Sequence, residues 1–337
     1  MLETIKELYN IYPQQIFRID NYDAFYDGYY LYVIVPVVEH EKDELPERHE
    51  MSKFLRLSGA RFVPAFFPAK DDSFVQQWEK GHFLLLFLDQ WKNTPLKSIP
   101  KSLANFHKRG MSLQSEIKKL RRLGEWHELW ERRITQLKKF WEQVVTNRPV
   151  NEFERLFIEA FPYYAGLTEN AIQYFVDTRM DVQPGINDVG TITHEKFTNE
   201  TWSGEIIWRN PFDWVIDHIS RDLAEWTRAF YLENNRFNYV PQIQAFFQQY
   251  EEKIPLSSFS WRLIYSRLIL PTHFFTAAES YFYSPKRLPN KNMIQYLRKE
   301  MDTADDYEWF LKNFFEIAGV PTRTGRIPQL DWLSTNQ

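Results

Sequence analysis

Residues 192–202 read I-T-H-E-K-F-T-N-E-T-W, residues 205–208 read E-I-I-W, and residues 210–224 read N-P-F-D-W-V-I-D-H-I-S-R-D-L-A. This is the informative region of the chain, with titratable and amide side chains set among short apolar runs. The apolar pieces, Ile192-Thr193 and Trp214-Val215-Ile216, are too short for helices and fit a β/loop region spanning 186–218. From Ile219 the pattern turns helical, and Asp222 stands at the start of a helix, where a carboxylate also serves as a plain N-cap.

Upstream, the first 88 residues are β-rich. A short helix is predicted over 1–12. Runs at Ile16–Ile19, Ala24–Tyr26 and Gly28–Val38 read as strands, with Asp27-Gly28 as a hairpin turn. Pro46 opens a helix whose apolar face carries Met51, Phe54, Leu55 and Leu57, and Gly59 stops it. Strands follow over Phe62–Ala69 and Phe74–Trp78, and the unbroken apolar run Phe83–Leu88 reads as a buried strand. The sequence changes character near Asp89. Helices are predicted over 99–110 and 112–146, then two more over 151–180. A longer helical series spans 219–318, with breaks at Pro241, Pro255, Pro271, Pro285 and Pro289, and the tail Pro321–Gln337 reads as irregular. The expected fold class is α+β: residues 1–88 form a β-rich lobe with one main helix, and residues 89–337 form a helical lobe carrying segment 192–224.

Composition narrows the function. The chain has 337 residues, a formal net charge of −4 and no cysteine. Disulfides, zinc fingers and thiol catalysis are therefore excluded. The near-neutral charge argues against a broad nucleic-acid interface, which needs a basic face. The KKLRR run at 118–122 reads as the solvated face of a core-facing helix rather than as a basic partner patch. MLETIKELYN lacks the apolar core of a signal peptide, so synthesis in the cytoplasm is expected, and no apolar run is long enough to span a bilayer. Most of the aromatic residues, 17% of the chain, repeat at helical spacing and are expected in the core.

Familiar catalytic signatures are missing. Gly185–Thr191 carries glycines at 185 and 190 but lacks the lysine before a Ser/Thr, and no GxGxxG occurs. The eight histidines show no HExxH or paired spacing, so no metal site and no metal cofactor is expected. No G-x-S-x-G is present.

Segment 192–224 nevertheless resembles the catalytic segment of the aminoglycoside-phosphotransferase/choline-kinase-like family, a branch of the protein-kinase-like fold. That family's loop runs roughly H-G-D-x-x-x-x-N, then a hairpin, then a metal-binding Asp, then D-L-A twelve residues later. His194 matches the loop histidine and Asp222-Leu223-Ala224 the final triplet. Leu103-Ala104-Asn105-Phe106-His107, ending at Gly110, is similar to the family's L-A-x-F-H-x-x-G helix. The order of a β-rich lobe before a helical lobe agrees, so the resemblance covers nearly the whole chain. Within the family, the spacing of Asn210, Asp213, Asp217 and Asp222 is most similar to the acidic segment of the CotS-like spore-coat-associated group.

The resemblance implies a small antiparallel β lobe, a large helical lobe and a nucleotide cleft, and against it four substituted positions and one missing glycine cover stand out. Lys196 falls where the loop Asp would handle the proton of the attacking hydroxyl. An ammonium, ordinarily deprotonated only near about 10.4, needs deep burial to become a base at neutral pH. Thr201 falls on the metal-binding Asn of the loop, and Asn199 is two residues short of that place. Asn210 falls on the metal-binding Asp, and a neutral amide is a poor ligand for a hard cation such as Mg²⁺. Val35, in Y-V-I-V-P, falls on the strand lysine that grips phosphates, and Tyr22–Asp27 has no glycine to cover them. His194, Asp213, Asp217 and Asp222 are then expected to support the loop or pocket rather than to catalyse. The expectation is a kinase-like scaffold without kinase chemistry, with no cofactor and no nucleic-acid or membrane partner. By resemblance it lies in the spore coat among other coat proteins. The alternative is a phosphotransferase, or a protein that holds a nucleotide or small molecule weakly in the cleft.

Overall fold

Two-residue alternation in the N-terminal strands sorts their side chains onto two faces. The computed structural model describes residues 2–79, 81–89, 91, 96–320, 327–328, 330 and 333. Strands β1 (Gln15–Ile19), β2 (Tyr22–Tyr26), β3 (Leu31–Val37), β4 (Ala65–Phe67), β5 (Gln76–Trp78) and β6 (Gly81–Leu88) form one sheet. Its order is β1-β2-β3-β6-β4, with β5 also on β6 and every pairing antiparallel. The register sets Val33 opposite Leu86 and Val35 opposite Leu84. These four, with Ala24, Phe66 and Leu45, make one apolar face. Phe25, Tyr32, Ile34, Phe83 and Leu85 make the other, closed by Ile5 and Tyr9 of helix α1 (Leu2–Tyr9).

The Asp27-Gly28 hairpin forms as expected. Asp27 Oδ1 accepts from the N–H groups of Tyr29 and Tyr30 at 2.8 Å each, and Gly28 takes φ +106°. Helix α2 (Leu45–Leu57) has Pro46 in its first turn and buries Leu45, Met51 and Leu55. Leu57, expected on that face, is exposed. The strand expected over 62–69 shrinks to Ala65–Phe67, because Phe62 adopts φ +62° and Pro64 has no N–H to pair.

The largest correction concerns residues 112–125. Helix α3 (Ile99–Gly110) is capped by Ser98, whose Oγ accepts from Lys101 N–H, but no helix continues after it. The N–H groups of Lys118, Lys119 and Leu120 go instead to the carboxylate of Glu47, at 2.8, 3.0 and 2.9 Å. Arg122 N–H bonds Ile216 O, and Ile216 N–H bonds Leu120 O, so the segment runs as a partial strand. KKLRR is therefore strapped down through its backbone and is not one face of a helix.

By its contacts the chain divides into two compact units. One comprises Met1–Arg122, Val189–Asp222 and Gln249–Ile254; the other comprises Leu123–Asp188, Leu223–Gln248 and Pro255–Gln337. Residue 89, where the sequence changes character, lies inside the first. Helices α4 (Trp126–Asn147), α5 (Glu152–Asp181), α8 (Ser258–Ile269), α9 (Thr272–Phe282), α10 (Lys291–Asp302) and α11 (Ala304–Ile317) lie wholly in the second, with most of α6 (Ser220–Glu233) and α7 (Arg236–Glu251). The two helices expected over 151–180 are a single helix that runs through Pro162, and Pro241 lies inside α7 rather than breaking it. Aromatic rings fill this unit's core, as with Trp126 stacked on Trp130 and both against Phe175. Most of the tail expected to be irregular lies outside the described residues.

Candidate functional site

A two-stranded sheet carries the segment quoted first. Strand β7 (Thr191–His194) pairs antiparallel with β8 (Trp214–Asp217), with Thr191 opposite Asp217 and His194 opposite Trp214. Thr191 Oγ1 donates to His107 O, which ties β7 to α3. The approach is close because Gly110 has no side chain: a Cβ there would stand 2.7 Å from Ile192 N.

Asp222, in the first turn of α6, is the hub of the site. Its Oδ1 accepts from His194 N–H at 2.9 Å, and its Oδ2 lies 2.7 Å from His194 Nδ1 and 3.0 Å from His107 Nε2. His107 Nδ1 lies 2.7 Å from the Tyr250 hydroxyl. Burial alone pushes the Asp222 carboxyl up, but the two imidazoles outweigh it and hold the group well below the usual carboxylate range. Burial pushes His107 down, against the pull of Asp222. Arg221 secures the other side of the loop. Its Nε donates to His194 O at 2.9 Å, its Nη1 to Asp217 Oδ2 at 2.9 Å, and its Nη2 to Glu195 Oε2 at 2.6 Å.

The remaining predicted positions divide by environment. Lys196 is exposed. Thr201 Oγ1 accepts from Thr198 N–H at 2.8 Å and shapes the turn. Asn210 Oδ1 accepts from Phe212 N–H, and its Nδ2 donates to Tyr22 Oη at 3.3 Å. Asp213 is raised by burial, a shift countered in part by His194, Asn210 and Arg48, and its backbone O accepts from Glu195 N–H. Asp217 is fully buried and accepts from His218 N–H as well as from Arg221. Val35 is buried on the sheet, far in sequence from the others. The structure thus gathers His194, Asp217 and Asp222 around one loop, with Asn210 and Asp213 on the adjoining turn.

Sequence reasoning missed what covers Val35. Trp208 belongs to the same buried cluster as Val33 and Val35, and Ile206 and Phe212 pack against that cluster. Trp208 Nε1 donates to Asp20 Oδ2 at 2.7 Å, and Tyr22 meets the indole edge-on at 5.5 Å. Arg48 from α2 holds the turn, donating to Pro211 O and Phe212 O at 2.9 and 2.7 Å. The alternation of Ile206 and Trp208 is visible in the sequence, but nothing there says which surface they meet. Among the described residues no cluster of three or more His, Asp or Glu could hold a metal ion, and no helix is long and apolar enough to cross a membrane.

An antiparallel sheet followed by a helical region, with an aspartate from a helix start bracing a loop after a short strand, is the aminoglycoside phosphotransferase-like kinase fold. The aminoglycoside phosphotransferase of Alicyclobacillus acidocaldarius subsp. acidocaldarius DSM 446 superposes with a TM-score of 0.67 over 95% of this chain and 96% of that one, at 12% identity. Spectinomycin phosphotransferase APH(9)-Ia, in complex with ADP and spectinomycin, gives 0.60 over 89% and 93%, at 11% identity. Sequence gives the family itself. The profile described as "Spore coat putative kinase YutH" matches residues 2–314, and the chain belongs to that family. The endospore coat-associated protein YutH of Bacillus subtilis (strain 168) is 38% identical over 336 residues, covering 98% of this chain and 97% of that protein.

Proposed function

We propose that this protein is a kinase-like scaffold of the endospore coat that acts by binding other coat proteins and does not transfer phosphate. The observation that carries the reading is the apolar cover of β3: Trp208, Ile206 and Phe212 occupy the side of the sheet where the fold's phosphate-gripping lysine is replaced by Val35. The residues present do not fit magnesium triphosphate. Mg²⁺ is held by one or two carboxylates plus phosphates in near-octahedral geometry. Here Asn210 offers a neutral amide whose oxygen is already bonded, and Asp217 is committed to Arg221 and a backbone N–H. Lys196 has three donors and no acceptor for a hydroxyl proton. The Asp222–His194–His107 brace works without a nucleotide, since it serves the loop's own backbone. Coat location rests on family membership and on the name of the Bacillus subtilis relative.

The same brace also favours a second reading, a phosphotransferase or nucleotide-holding protein of the aminoglycoside/choline kinase type with Asp213 or Lys196 in new roles. Thermal unfolding with ATP, with and without Mg²⁺, separates the two. The scaffold reading expects no shift and no turnover. A Mg²⁺-dependent rise of several degrees, lost in Asp213→Asn or Lys196→Ala, overturns it. A metal-independent rise points to nucleotide holding. Crosslinking of the tagged chain in sporulating cells then identifies coat partners, and absence of the protein from the coat overturns the location.

A further inference from the structure

Arg209 is 5% exposed, and among the described residues its Nε and Nη1 have no hydrogen-bond partner. Its guanidinium lies 4.6 Å from the Trp202 ring centre and 5.2 Å from that of Phe106. Ring faces favour a cation but accept no ordinary hydrogen bond. Among the described residues no carboxylate answers the charge; the charged neighbours that act on it are two further arginines, Arg109 and Arg61. Burial first, and then their repulsion, pushes Arg209 down to about 9. Among the described residues none of these three arginines forms an ion pair. A buried cation held against two rings, with two further cations acting on it and no ion-pair partner, is an arrangement that a counter-charge nearby would relieve.

The backbone brings these groups to one place. Arg209 N–H bonds Phe62 O at 2.8 Å, next to Arg61, whose guanidinium sits 4.8 Å from the Phe62 ring centre. Arg109 Nε donates to Ser58 O and its Nη1 to Asn105 O, joining the end of α2 to the α3 turn that carries Phe106. Against that turn lies an open cavity of about 380 Å³ lined by Ser58, Asn105, Lys108, Arg109 and Ser112. Its lining offers two cations, two hydroxyls and an amide, and no carboxylate. We propose that this cavity binds a phosphate group, as inorganic phosphate or a phosphomonoester, with Lys108 and Arg109 in contact with it and Arg61 and Arg209 supplying field behind them. A dianion with several acceptor oxygens matches a set of cations and neutral donors better than a single carboxylate does. The cavity's lining residues are remote in sequence from the loop at 194–201, and the proposal does not depend on whether that loop is catalytic.

The test is calorimetric titration of the full chain at low ionic strength, where screening is weakest. Inorganic phosphate and phenyl phosphate are the two probes, with acetate for comparison. One saturable site for either phosphate is expected, with weaker acetate binding; the tighter probe shows whether free phosphate or an organic ester is the better ligand. Lys108→Ala/Arg109→Ala should weaken binding by about tenfold or more, the loss expected for charge-assisted contacts. Lys118→Ala/Lys119→Ala, which removes the same charge elsewhere, should leave it unchanged. Phosphate should raise the melting temperature of the wild type and raise it less in Arg209→Met; if Arg209→Met does not fold, the two double variants decide. No saturable binding of either probe, or equal weakening by both double variants, overturns the proposal.

Discussion

Trp208 and Asp20 are joined by an indole N–H···carboxylate bond of 2.7 Å, and that bond fixes the ring against the face of the sheet that holds Val35. Asp20 sits in the β1–β2 turn at φ +51°. The connection between β7 and β8 and the first hairpin of the chain are thereby locked to each other. A large aromatic ring in a closed apolar cluster is a wall rather than a ligand platform. Opening that space would expose the ring and the valines and leucines beneath it.

Trp208→Ala should destabilise the fold by about 3–5 kcal/mol, the usual cost of deleting a buried large aromatic side chain. Trp208→Phe should cost about 1 kcal/mol for the hydrogen bond, plus a smaller packing loss, because Asp20 is exposed and water replaces its partner. Urea denaturation of both variants checks this. Near-equal costs would mean that the ring is not packed as described.

Asp222→Asn should destabilise by about 3–5 kcal/mol, since it breaks a buried charged cluster and leaves two imidazoles facing an amide. The sign of its pH dependence follows from the direction of the shift. The folded carboxyl is held low, so its contribution is present above the unfolded value near 4 and is lost as pH falls below it. His107 is also lowered, so its contribution is whole above about 6.5 and declines on acidification from there. The wild type should therefore lose stability in two stages below neutrality, and Asp222→Asn should lack the lower stage. Urea midpoints measured from pH 7 down to 3 resolve the two.

Much of this was legible because it depends on local rules. The Asp27-Gly28 turn, the alternating strands and the Leu103–Gly110 helix each announce themselves within a few residues. His194 and Asp222 could be paired through spacing and resemblance, although the second imidazole on that carboxylate, His107, could not. Residues 112–125 misled because Leu113, Ile117 and Leu120 keep helical spacing. The competing force, three N–H groups captured by Glu47, comes from a residue some 70 positions upstream. Trp208 and Arg209 were opaque for the same reason: their neighbours are Asp20, Tyr22, Phe62 and Phe106, and only tertiary structure brings those together.

Two glycines in helices should respond to alanine in opposite ways. At Gly110 a Cβ would meet Ile192 N at 2.7 Å, as well as the Thr191 hydroxyl, so Gly110→Ala must push β7 away from α3. A loss of about 1–3 kcal/mol is expected, typical of overpacking. At Gly166, inside α5, nothing lies within 4 Å of the new methyl group. Gly166→Ala should gain about 0.5–1 kcal/mol through the restricted unfolded chain and better helix propensity. Thermal melts of the two variants should move in opposite directions, and a stabilised Gly110→Ala would contradict the close approach of α3 and β7.

His273 on α9 and Glu300 on α10 meet at 3.3 Å, both almost fully buried, in a small cavity shared with Tyr164, Tyr231 and Tyr307. Burial pushes Glu300 up to about 7, with Lys299 and Tyr296 pulling the other way. Burial, reinforced by Arg228 and opposed by Glu225, pushes His273 down to about 3. The fold thus prefers both groups neutral, and their slopes oppose. The Glu300 contribution is whole below its unfolded value near 4.5 and is lost as pH rises through about 7. The His273 contribution is whole above 6.5 and is lost as pH falls toward 3. Between 4.5 and 6.5 the two largely cancel, although offsets of this size are each worth on the order of several kcal/mol. Glu300→Gln removes one slope, so its stability relative to wild type should rise with pH across that window and stay high above 7. His273→Gln should show the reverse, its stability relative to wild type falling as pH rises over the same range. Taking differences from wild type cancels the titrating groups that neither side chain touches, so urea midpoints at half-unit steps from pH 4 to 8 read the slopes of this pair, and profiles parallel to wild type would show that the pair does not set them.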